Sequence, residues 1–122
     1  MVIKEISPGQ KAPCGNEGAL IFVGTGENTV MIDAAERQSD QEEIIDIYQD
    51  NMGTLVEGEK SLWYAATIII PPHQYHMVDT GQVDDQGQPV LNKEQLPLDM
   101  DAVTVVLWPL NKPLNNEGGE NQ

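Results

Sequence analysis

The chain has 122 residues, a single cysteine and 20 Asp plus Glu against 6 Lys plus Arg, for a formal net charge of −14. One cysteine rules out an intrachain disulfide and favours a reducing compartment, and no apolar run approaches the ~18 residues of a membrane helix. With so few cations to displace counterions, direct binding to nucleic acid or to an anionic membrane is disfavoured.

A chain of this length holds one domain whose core needs no metal or disulfide staple. The segment MVIKEISPGQ has neither the basic nor the apolar region of a signal peptide. The expectation is a cytoplasmic protein, or one inside a particle assembled within the cell.

Val2 to Ile6 reads as a short opening strand, and the prolines and glycines from Pro8 to Gly18 read as an irregular loop. ALIFV (19–23) and TVMI (29–32) are β-prone runs joined by GTGEN, which predicts a hairpin. The G-x-G in that turn lacks the third glycine of a dinucleotide fingerprint and the G-K-[ST] of a P-loop, so it is a turn signal and not a phosphate cradle.

Residues 40–52 predict the chain's one amphipathic surface helix. Ser39 and Glu42 have capping-box spacing, Gly53 stands where a left-handed cap would end the helix, and Ile44, Ile45, Tyr48 and Met52 share a helical face. On that reading Glu42, Glu43, Asp46 and Asp50 form a row of carboxylates towards solvent, a candidate contact for a basic partner surface.

Thr54 to Val56 predicts a strand turning back towards the longest apolar run, SLWYAATIIIPPHQYH (61–76). Strict alternation puts Leu62, Tyr64, Ala66, Ile68 and Ile70 on one face and Trp63, Ala65, Thr67 and Ile69 on the other. Both rows are largely apolar, which indicates a central strand or one whose second face meets another subunit. AVTVVLW (102–108) has the same character. Trp63, Ile69, Val106 and Trp108 are therefore the expected oligomer interface, and the chain is expected to be a homo-oligomer. Between these strands, His73 to Asp79 and Val90-Leu91 predict a second hairpin turning at Asp85-Gln86-Gly87.

The end, PLNKPLNNEGGENQ (109–122), predicts an extended polar arm from residue 111 after a single β-rich domain over residues 1–110. Leu110 and Leu114 are its expected contacts on a neighbouring subunit, and deletion from Asn111 is expected to leave the fold intact.

Catalytic constellations are weak. His73, His76 and Asp79 are the best metal candidates, but on a strand residues three apart point to opposite faces. Cys14 lies in a loop with no local thiol-nucleophile signature. Paired carboxylates such as Asp99 and Asp101 are common by chance in so acidic a chain.

The fold expected is β-rich, a small antiparallel barrel or sandwich with one surface helix. The function expected is that of a non-enzymatic interaction or assembly module without a cofactor. Accessory structural subunits of larger assemblies, phage particles included, have this profile. The alternative is a nucleic-acid mimic that occupies a partner's basic groove, since Asp33 to Glu59 holds nine acidic residues and one Arg37. A metal-dependent enzyme using His73, His76 and Asp79 comes third.

Overall fold

A computed structural model describes residues 1–58 and 63–114 of the chain. Ten strands form three sheets among these residues, and none of the sheets closes into a barrel. The largest has five strands: β1 (Val2–Glu5), β10 (Thr104–Leu107), β7 (Trp63–Ile70), β5 (Glu43–Gln49) and β6 (Leu55–Glu57), side by side in that order. The long apolar run is its central strand, as its composition predicts; Ser61 and Leu62 lie outside the described residues. A three-stranded sheet contains β2 (Cys14–Glu17), β3 (Leu20–Thr25) and β4 (Asn28–Asp33). The third sheet is the hairpin of β8 (Tyr75–Val83) and β9 (Pro89–Gln95).

The core is formed by the inward rows of the first two sheets. Ile21, Val23 and Ile32 from the three-stranded sheet join Ile45, Ile47, Ala66, Ile68, Ile70, Val103, Val105 and Leu107 in one buried cluster. Each fully buried Ile or Val contributes about 1.5–3 kcal/mol relative to exposure, so this alternation fixes the register of β5, β7 and β10. No helix among the described residues is long and apolar enough to cross a membrane.

The predicted helix over 40–52 is absent; most of that stretch is strand β5. EIIDIYQ satisfies two periods at once, and three β-branched isoleucines with a tyrosine favour the pleated surface. Ile45 and Ile47 point into the core while Ile44, Asp46 and Tyr48 lie on the opposite side. The capping-box serine bonds instead to the Glu43 carboxylate. Gly53 closes the β5–β6 turn at φ +87°, its N–H donating to Asp50 O at 3.0 Å. The helix observed, α1, is only Ala34–Arg37, with Asp33 Oδ1 accepting from Glu36 N at 3.2 Å.

Both predicted hairpins form. In the second, Asp84 Oδ1 accepts from Gln86 N and Gln88 N, each at 2.9 Å. Most of β8 and β9 is exposed, and the base of the hairpin is tied to the segment before β5. There His73 N donates to Ser39 O at 2.8 Å and the Tyr75 hydroxyl donates to Asp40.

The C-terminal arm is described as far as Leu114. Leu110 and Leu114, each half-buried, pack against this chain's own core. Gln49, fully buried at the end of β5, holds the segment between them. Its Oε1 accepts from Asn111 N at 3.0 Å and Lys112 N at 3.1 Å, and its Nε2 donates to Lys112 O at 2.8 Å. Asn115 to Gln122 lies outside the described residues.

Candidate functional site

One face of the five-stranded sheet covers the core; on the other, among the described residues, Val2, Lys4, Ile44 and Tyr64 stay exposed. Register places three rows of side chains across this open face. The first is Val2, Thr104, Ile69 and Ile44, and the second is Lys4, Val106, Thr67 and Asp46. The third is Ile6, Trp108, Tyr64 and Tyr48, where Ile6 N donates to Leu107 O at 3.0 Å and so continues the β1 pairing. Val2 and Tyr64 are each 44% exposed and Ile44 is 58% exposed, while Tyr48 is buried beside Tyr64.

A β-bulge builds the third row. Ile47 pairs with Ala66, but the next residue, Tyr48, pairs with Tyr64, leaving Ala65 as the extra residue. The Ala65 carbonyl turns to accept Trp108 N at 3.0 Å. A bulge switches the alternation of the strand beyond it, so Tyr64 moves to the open face and Trp63 to the core side beside Gln49. Three aromatic rings then meet: Tyr48 and Tyr64 have centroids 4.9 Å apart, and Tyr64 and Trp108 have centroids 5.4 Å apart. These tilted geometries are favourable for ring pairs.

A polar chain runs beneath the rings. Trp108 Nε1 donates to Thr67 Oγ1 at 3.2 Å, and Thr67 Oγ1 donates to Asp46 Oδ1 at 3.0 Å. Both donors are thereby satisfied on a largely apolar face, and the Asp46 carboxylate is held in place. The Tyr48 hydroxyl is pushed up to about 12 by its hydrogen bond to Tyr64, by desolvation and by the charge of Asp46. Because the ordinary value is 10.0, the folded chain holds this proton longer than the unfolded one. The stabilisation is complete below pH 10 and is lost as pH rises towards 12. Tyr48→Phe is expected to flatten the alkaline loss of stability in that window, read from denaturant midpoints at pH 9 to 12. An unchanged alkaline profile would contradict the assignment.

Of the four residues expected at an oligomer interface, Ile69, Val106 and Trp108 share the open face. Trp63 does not, because of the bulge. Because residues 43–49 form a strand and not a helix, the four expected surface carboxylates are dispersed. Asp46 is on the open face, Glu43 pairs with Ile70 on the core side, Glu42 precedes β5, and Asp50 Oδ1 accepts from Met52 N and Thr54 N at 2.9 Å. They form no common row.

The histidines also diverge. His73 Nδ1 lies 3.0 Å from Asp40 Oδ1, and His76 Nε2 lies 3.3 Å from Glu94 Oε1. Asp79 Oδ1 accepts from Gly81 N at 2.8 Å within the hairpin. Among the described residues no three His, Cys, Asp or Glu side chains are grouped to hold a metal ion. Burial pushes the half-buried Cys14 thiol up to about 11, away from the thiolate a nucleophile needs.

Comparison with known proteins adds no relative: no family model, curated protein or solved structure matches the chain. Sequence pattern located Ile69, Val106 and Trp108 by plain alternation. It missed Tyr64 because nothing in WYAAT marks Ala65 as a bulge, and it missed Lys4 because a short opening strand gives no sign of its neighbour.

Proposed function

We propose that the chain is a non-enzymatic interaction and assembly module, an accessory structural subunit whose working surface is the open face of the five-stranded sheet. The observation that carries this is composition. The chain has 20 Asp plus Glu, yet Asp46 is the only carboxylate in the three rows. A contiguous apolar patch with a polar rim marks an interaction site, and aromatic residues are enriched at the centres of such sites. The acidity of the remaining surface then acts as a solubility device that directs association to this one face. The fold reading that accompanies it is a two-layer sandwich, the three-stranded sheet covering one side of the five-stranded sheet and a binding partner covering the other. Within a larger assembly, phage particles included, such a subunit contributes surface and no chemistry.

The test is capture of native-host complexes with the wild-type chain and with Val2→Lys/Ile44→Lys. Both positions are exposed, so the fold is expected to survive, as circular dichroism would show. Every specific association retained by wild type is expected to be lost in the variant. Associations that persist unchanged would place the working surface elsewhere.

A further inference from the structure

Resting on that reading of the open face, we infer that its occupant is a second copy of this chain, packed face to face about a two-fold axis that runs along the strands between β10 and β7. The order of charges across the sheet selects this occupant. Lys4 stands at one end of the middle row and Asp46 at the other. Three strand spacings separate them, about 14 Å at ~4.8 Å per strand, so they do not meet within one chain.

A two-fold axis along the strands reverses each row over itself. Lys4 of one copy then lies over Asp46 of the other, and the same pair recurs at the opposite end. The neighbouring row places Val2 over Ile44, apolar on apolar, and the aromatic row places Trp108 over Tyr64. The other face-to-face two-fold, across the strands, sets Lys4 on Lys4 and Asp46 on Asp46, and like charges brought together in an interface cost affinity and discriminate against that arrangement. The face is thus self-complementary in one orientation, which is what an isologous dimer requires. A basic partner, by contrast, would find one carboxylate on this face and a lysine facing it.

The experiment uses the purified full-length chain with no partner present. Sedimentation velocity across roughly 1–100 µM protein is expected to show a dimer. Lys4→Glu and Asp46→Lys are each expected to weaken it at least tenfold, and the double variant K4E/D46K to recover to within about threefold of wild type. Because Asp46 also accepts from Thr67, a second measurement needs no variant. Zero-length carbodiimide coupling in an equal mixture of ¹⁴N and ¹⁵N protein is expected to give a Lys4–Asp46 crosslink of mixed label. A monomer throughout, a double variant no better than the singles where both fold, or the absence of that mixed crosslink would overturn the inference. A monomer that still loses its host partner on Val2→Lys/Ile44→Lys would leave the working surface standing and remove only its proposed occupant.

Discussion

Gln49→Leu is expected to destabilise the fold by about 2–4 kcal/mol, a loss visible as a lower urea midpoint. Leu matches the volume of the replaced side chain roughly but offers no polar atom. The amide of Gln49 accepts two backbone N–H groups, from Asn111 and Lys112, and donates to the carbonyls of Lys112 and, at 3.3 Å, Gly53. Stranding a buried donor or acceptor costs about 1–3 kcal/mol each, and partial access to water at the arm lowers the sum. Deleting residues 111–122 removes most of the same partners at once, so it is expected to destabilise too, reversing the expectation that the arm is dispensable for folding. The two changes share one set of hydrogen bonds and are expected to be strongly non-additive. A Leu variant within 1 kcal/mol of wild type would show that the amide is not what holds the arm.

The residues that betrayed themselves in sequence are those whose alternation matches their environment. In AVTVVLW, the inward Val103, Val105 and Leu107 and the outward Thr104, Val106 and Trp108 follow period two without interruption. In GTGEN and DDQG, the glycines at turns fix the hairpins locally. The misreadings share one cause: the deciding contact is remote. EIIDIYQ was compatible with helix and strand, and its pairing with β7, some twenty residues away, decided for strand. Helical propensity and a capping box are worth about 1 kcal/mol, less than burial of Ile45 and Ile47 between sheets. The bulge at Ala65 exists because Tyr48 pairs with Tyr64, and nothing near Ala65 in the chain encodes it. Gln49 fell within the predicted helix with nothing to single it out, because its partners are 62 and 63 positions away. The open face was half legible, through Ile69, Val106 and Trp108, while its charged ends required the parallel pairing of β1 with β10 for Lys4 and the pairing of β5 with β7 for Asp46.

Gly24→Ala is expected to cost about 3 kcal/mol or more, far beyond Gly18→Ala. Both glycines have positive φ, +122° at Gly24 and +59° at Gly18. A methyl group at Gly18 meets nothing within 4 Å, whereas at Gly24 it would stand 2.1 Å from Asn28 O and 2.8 Å from Thr29 Cα. Those are backbone atoms of the paired strand, and they can retreat only if the β3–β4 hairpin opens. Asn28 is not free to follow. Its Oδ1 accepts from Leu55 N at 2.9 Å and its Nδ2 donates to Gly53 O at 3.0 Å, tying the three-stranded sheet to the β5–β6 turn. Gly24 N donates to Pro13 O at 2.8 Å, which holds the opposite side. The alanine therefore has a clash with no cheap direction of relief, while Gly18→Ala carries only the left-handed penalty of about 1–2 kcal/mol. Urea unfolding of the two variants isolates the difference. Equal losses would mean that the hairpin yields at Asn28, and the Asn28 bridge would then contribute little to joining the two sheets.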